Sequence, residues 1–190
     1  MNNRIKTIIQ ESISVKQQLL ADDQLLEKIQ QAVDICIKAF QADKKVLFCG
    51  NGGSAADAQH LAAEFSGRFY KDREPLFSEA LHVNTSYLTA VANDYSYQDI
   101  YSRAIKAKGR AGDVLFGIST SGNSGNIMAA MTEAQSRGMA TIGLTGQTGG
   151  KMKEVSDILI NVASSDTPRI QESHILVGHI ICELVEAALF

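Results

Sequence analysis

The chain is poorest in the features that mark proteins of polyanions, membranes and disulfide frames. It has no block of lysine and arginine: 18 basic residues stand against 21 acidic ones, for a formal net charge of −3. A mildly acidic chain lacks the electrostatic footprint that phosphate-backbone binding needs, so no nucleic acid is expected as a direct partner. No apolar run reaches the length of a signal peptide or a membrane span, and Met1 to Lys6 mix charge with apolar side chains, so no membrane association is expected. Cysteine is scarce, with only Cys36, Cys49 and Cys182. Their odd number, wide separation and apolar surroundings argue for reduced core thiols, and hence for a cytoplasmic protein. No CxxC pair exists, which excludes a zinc ribbon. Gly-Lys-Ser/Thr is missing, which excludes a Walker A loop, and Gly50-Asn51-Gly52-Gly53 does not fit the dinucleotide fingerprint. No nucleotide cofactor is expected.

What is present suits one globular domain: 190 residues, 45% hydrophobic and 21% charged. Ile5, Ile8, Ile9, Ile13 and Leu19 recur at roughly the helical period, and Leu26, Ile29, Val33, Cys36 and Ile37 repeat it, so two helices come first. Five short apolar runs follow: Val46 to Gly50, Ser78 to Val83, Asp113 to Ile118, Ala140 to Leu144 and Asp157 to Val162, separated by helical stretches. The alternation predicts an α/β fold, a five-stranded parallel sheet with helices on both faces. In a flavodoxin-like order the first and third strands are neighbours. Thr167 and Pro168 read as an N-cap and a first helical position, opening one long helix from Arg169 to Phe190. Its apolar residues cover more than one stripe, so a second chain is expected against it. The domain divides into N-terminal helices (1–43), an α/β core (44–166) and a C-terminal helix (167–190).

Behind the run ending at Ile118 comes Ser119-Thr120-Ser121-Gly122-Asn123-Ser124-Gly125, then a helical pattern from Asn126 to Arg137. Hydroxyls and glycines at a helix N-terminus suit a phosphate, because unpaired N–H groups and the positive dipole end favour an anion. One such loop reads equally well as an ordinary turn with Ser/Thr caps. A second loop, Cys49-Gly50-Asn51-Gly52-Gly53-Ser54, repeats the design. If the first and third strands are adjacent, both loops face one ligand in the crevice where such sheets bind. A sugar phosphate fits better than a nucleotide.

His60 and Glu64 lie four apart on the helix that begins at Ser54, so they share a face one turn beyond the glycine loop. His60 alone reads as a core or surface histidine. Paired with a carboxylate beside a ligand loop, it points to function. The last helix offers Gln171, Glu172, His174 and His179, of which Glu172 and His174 suit solvated positions. Gln171 and His179 are about 12 Å apart along the axis and about 80° around it, so they meet at one point only with long reach.

Gly50-Asn51-Gly52-Gly53-Ser54-Ala55-Ala56-Asp57-Ala58-Gln59-His60, Ser119-Thr120-Ser121-Gly122-Asn123-Ser124 and Arg169-Ile170-Gln171-Glu172 resemble the sugar isomerase (SIS) domain family, nearly end to end. The resemblance implies an aldose–ketose isomerase converting sedoheptulose 7-phosphate to D-glycero-D-manno-heptose 7-phosphate through an enediol(ate), on the route to the heptose of bacterial lipopolysaccharide core. It implies a homotetramer with active sites at subunit interfaces and long terminal helices packed between subunits. Carried over position by position, it places Asn51, Gly52, Gly53, Ser54, Glu64 and Gln171 on the substrate, with Asn93 and Asp94 near the sugar. Ser119, Thr120, Ser121 and Ser124 fall on the phosphate. Glu64 and His179 match the catalytic pair, and His60, Glu64, Gln171 and His179 match positions that can carry one zinc per subunit. Two other readings use the same fold. One is a non-catalytic tetramer that binds the replication initiator, which has no need of Glu64 and His179. The other is the sensor domain of a sugar-phosphate-responsive regulator, ranked last because no basic DNA-binding stretch precedes the domain.

Overall fold

In a sheet covered on both sides, strand alternation sends successive side chains into two separate cores. The structure, a computed structural model, describes residues 2–190. Among these, β1 (Val46–Gly50), β2 (Ser78–Ala80), β3 (Val114–Ile118), β4 (Ala140–Thr145) and β5 (Ile158–Asn161) form one parallel sheet in the order β2-β1-β3-β4-β5. This is the flavodoxin-like order, with β1 beside β3.

Val46 and Phe48 of β1 point to one face with Val114, Phe116 and Ile118 of β3. That face lies under α2 (Asp23–Gln41), α3 (Gly53–Ser66) and α7 (Thr167–Leu189). Leu47, Cys49 and Leu115 point the other way, under α4 (Thr85–Asp94), α5 (Ile100–Lys108) and α6 (Gly125–Ser136). Burial on both sides is why the strands read as unbroken apolar runs. Phe48 stacks on Phe116 with centroids 4.9 Å apart, and burying each such ring contributes roughly 1.5–3 kcal/mol. The three thiols are buried and unbridged, as their surroundings predict, and burial pushes each above its ordinary pKa. The first helix, α1 (Asn2–Leu20), buries Val15 and Leu19 but leaves Ile5, Ile9 and Ile13 exposed.

Three local expectations are corrected. β2 stops at Ala80 rather than Val83, because an edge strand with one neighbour ends where the chain turns, Val83 N donating back to Ala80 O. Between β4 and β5 the chain makes only a short 3-10 turn, Gly150–Glu154, in place of a longer helix. The cap of α7 is Asp166, and Thr167 is already helical. Proline fits throughout a first turn, whose N–H groups have no intrahelical partner, so Pro168 marks the start only to within a residue.

α7 and α3 run side by side in the same direction. Gln171 lies by Gly53, Gly178 by Leu61 and His179 by His60. A Cβ at Gly178 would collide with the Leu61 side chain, so this glycine sets how closely the two helices approach.

Candidate active site

β1 and β3 end together, Gly50 paired with Ile118, so the turns that follow open at the same edge where the strand order reverses. Each turn feeds a helix, α3 or α6. Neither N-cap residue bonds its helix through a side chain: Gly52 has none to offer, and Ser124 makes no capping bond. Other helices differ among themselves: Asp22 accepts from Leu25 N and Asn84 from Tyr87 N, whereas Asp99 and Asp166 make no capping bond. In the first turns of α3 and α6, Ser54 N and Ala55 N bond the Asn51 and Gly52 carbonyls and Ile127 N bonds Asn126 Oδ1, while the N–H groups of Gly53, Gly125 and Asn126 remain for an anion.

Ser124 turns its hydroxyl instead to that of Ser119, 2.8 Å away, and Ser121 lies 3.5 Å from the same Ser119 oxygen. Gly122, at φ +65°, backs onto the Gly149 carbonyl with no room for a side chain, which holds the turn in shape. A crevice of about 280 Å³ adjoins this turn, lined by Thr120, Ser121, Asn123, Gln147, Thr148 and Thr167 among others. The two loops are tied together. Asn51 Nδ2 donates to Asn126 Oδ1 at 2.9 Å, and Asn126 Nδ2 returns a bond to Asn51 Oδ1 at 3.0 Å. Tyr97 donates to the same Asn51 oxygen, and the buried Tyr101 hydroxyl donates to the Gly50 carbonyl. Both loops thus meet, as the sequence predicts for loops sharing one ligand. Asn126, Tyr97 and Tyr101 were not foreseen, although an asparagine just inside the helix behind the second loop was a readable signal.

His60 and Glu64 share one face of α3, His60 Nε2 lying 2.9 Å from Glu64 Oε1. Their side chains are 49% and 23% exposed, so the imidazole reaches solvent while the carboxylate is sheltered. His179 comes across from α7, its ring 5.0 Å from that of His60 and 5.7 Å from that of Phe69. Its Nε2 is buried with no hydrogen-bond partner, an expensive state for a polar atom. Ligand atoms of His60, Glu64 and His179 all lie within 4.8 Å of one another, so the three form a group that could hold a metal ion. An orphaned imidazole nitrogen beside a carboxylate and a second imidazole is a donor set that suits zinc.

Asp57, three residues before His60, has a buried Oδ2 without a partner. Burial raises its carboxyl pKa, with His60 opposing. It was not singled out from sequence, though the i, i+3 spacing to His60 was visible.

The remaining predicted residues fall in distinct places. The Gln171 amide lies against Gly53, at the opposite end of α3 from Glu64. Ser54 is buried in the first turn of α3. Asn93 and Asp94 end α4 in exposed positions, and the hydrogen bond they make is with each other, 2.9 Å from Asn93 Nδ2 to Asp94 Oδ1. His174 is not solvated. It is buried beneath α7 and bonds through Nε2 to the Thr145 carbonyl at 3.1 Å, and burial pulls its pKa down to about 4 against that bond. Glu172 is held by Ser12 and Arg169. Helical periodicity cannot say which polar residue of a mostly apolar helix turns inward.

Residues 10–146 match the SIS domain model. The chain belongs to the SIS domain family. It is 54% identical over 190 residues to the phosphoheptose isomerase of Aneurinibacillus thermoaerophilus, covering 100% of this chain and 96% of the relative. The phosphoheptose isomerase of Clostridium acetobutylicum is 53% identical over 190 residues, at 100% and 97% coverage. Among solved structures, phosphoheptose isomerase from Neisseria gonorrhoeae superposes with a TM-score of 0.92 at 44% identity, covering 98% of each chain. Among the described residues no helix is long and apolar enough to cross a membrane.

Proposed function

We propose that the protein is an aldose–ketose isomerase that converts sedoheptulose 7-phosphate to D-glycero-D-manno-heptose 7-phosphate for heptose biosynthesis. The observation that carries the reading is the meeting of two helix starts around the Ser119–Ser124 hydroxyl cluster, with Glu64 and His179 together farther along α3 and α7. Full-length likeness to phosphoheptose isomerases supports it.

Isomerisation takes a proton from one carbon and returns it to the next, through an enediolate whose oxygens carry charge. Ser119, Thr120, Ser121 and Ser124, with the first turns of α3 and α6, would grip the phosphate. That distant binding energy aligns the reacting carbons. Asn51, Gly52, Gly53, Ser54 and Gln171 would line the sugar along the start of α3. Glu64 would take the proton from C1 and return it to C2. His179 would move protons between the sugar oxygens O1 and O2.

His60, Glu64 and His179 would hold zinc, which when bound supplies Lewis-acid polarisation of the carbonyl, whereas Gln171, the fourth position the resemblance offers, lies at the start of α3 away from them. The exposed Ile5, Ile9 and Ile13 of α1 and Leu184 of α7 support burial against further copies of the chain, in a homotetramer. Asn93 and Asp94, exposed in one chain, would complete a site at a subunit interface.

The decisive experiment incubates the purified protein with sedoheptulose 7-phosphate, before and after chelation, and follows the aldose product. Turnover lost on chelation and restored by zinc is expected. No turnover with metal present would overturn the reading and favour the non-catalytic scaffold.

A further inference from the structure

The link from α3 to β2, residues 67–77, has no regular structure, yet it is pinned to the end of α7 at one carboxylate. Glu186 accepts from the backbone N–H of Phe69 at 2.9 Å and from those of Tyr70 and Lys71 at 2.7 Å each. Its fourth donor is Arg73 Nε at 2.8 Å. Both side chains of this ion pair are 2% exposed. Arg73 gives its remaining N–H groups to carbonyls at the end of α3: Glu64 O at 2.9 Å, Phe65 O at 2.9 Å and Gly67 O at 3.3 Å, with Glu74 O at 3.0 Å. A cation that satisfies the orphaned carbonyls of a helix C-terminus complements its dipole.

A buried ion pair by itself is weak evidence for stability, since an apolar pair of similar volume often does as well. The placement here is more particular. Arg73 bonds the backbone of Glu64, and Glu186 lies two turns past His179 on α7. The loop held by Glu186 lays the Phe69 ring against that of His179. We propose that Arg73 and Glu186 are positioning residues for the Glu64–His179 pair, locking the ends of α3 and α7 together so that the two side chains keep their register. The inference rests on the reading of Glu64 and His179 as the working pair. The phosphate loops lie at the opposite end of α3, so loosening the clamp disturbs the reacting end while the grip on phosphate remains.

Glu186→Gln keeps the size of the side chain and loses the charge, and Arg73→Lys keeps the charge and loses the fork. The chain has four histidines, His60, His82, His174 and His179, so their ring resonances are separable by NMR. The ring current of Phe69 makes the His179 signal a gauge of the clamp. In Glu186→Gln the His179 signal is expected to move while those of His82 and His174 stay. The kcat is expected to fall about tenfold or more, as a misplaced catalytic group allows, with KM and the affinity for inorganic phosphate within about twofold. Arg73→Lys should show a smaller version of the same pattern.

An unmoved His179 signal in both variants overturns the proposal. So does a fall in kcat and phosphate affinity with a rise in KM and shifts of all four histidines, which marks general loosening. The NMR arm needs no turnover, so it tests the clamp even if the isomerase reading fails.

Discussion

Asn51 and Asn126 exchange two hydrogen bonds, each amide donating to the other's oxygen across the gap between the two loops. Asn126 is 3% exposed and its Oδ1 also accepts from Ile127 N, so its side-chain amide is fixed on both sides. The pair ties the starts of α3 and α6 together.

Removing it should separate binding from chemistry. Asn126→Ala is expected to raise KM for the sugar phosphate about tenfold with a smaller fall in kcat, and to cost about 1–3 kcal/mol of stability from the amide left without its partner. Steady-state kinetics beside urea denaturation checks both, and an unchanged KM would leave Asn126 a purely structural residue.

Glu64→Gln removes the proposed base and keeps its shape. Turnover should fall by about 10²–10⁴-fold while isothermal titration finds substrate binding largely intact. Near-wild-type turnover would remove Glu64 from the role.

Gly178→Ala forces a methyl against Leu61 at the contact between α3 and α7. Overpacking of this kind costs about 1–3 kcal/mol, and here it also pushes His179 away from Glu64. A lower melting temperature together with a lower kcat is expected, and a loss of stability alone would show that the helices give way elsewhere.

His174 makes stability depend on pH. Burial lowers its folded pKa from 6.5 to about 4, and its Nδ1 has no partner to welcome a proton. The unfolded chain binds that proton first, so the contribution is complete above about 6.5 and drains away as pH falls toward 4, to a loss of about 3 kcal/mol there. Denaturation midpoints of wild type and His174→Asn at several pH values check this. The gap between them should narrow as pH drops through that window, and a constant gap would mean that His174 is not buried neutral.

The sequence reached furthest where structure is decided locally. Apolar runs, glycine turns and the i, i+4 spacing of His60 and Glu64 each depend on a few neighbouring residues, and β1, the helix behind it and the Ser119–Ser124 loop all appeared nearly where expected. It went less far at Asn93 and Asp94, which the family resemblance places near sugar but which this single chain leaves exposed at the end of α4.

By itself, then, the sequence determined a parallel sheet with two glycine- and hydroxyl-rich turns, because side-chain period and turn chemistry are written in consecutive residues. Only the tertiary structure decided that Asn126 answers Asn51, that Glu186 holds the loop of Phe69, and that His174 points inward while His179 faces Glu64. Those pairings depend on how far α7 slides and rolls against α3 and the sheet. That register is set by packing at Gly178 and Leu61, between residues far apart in the chain.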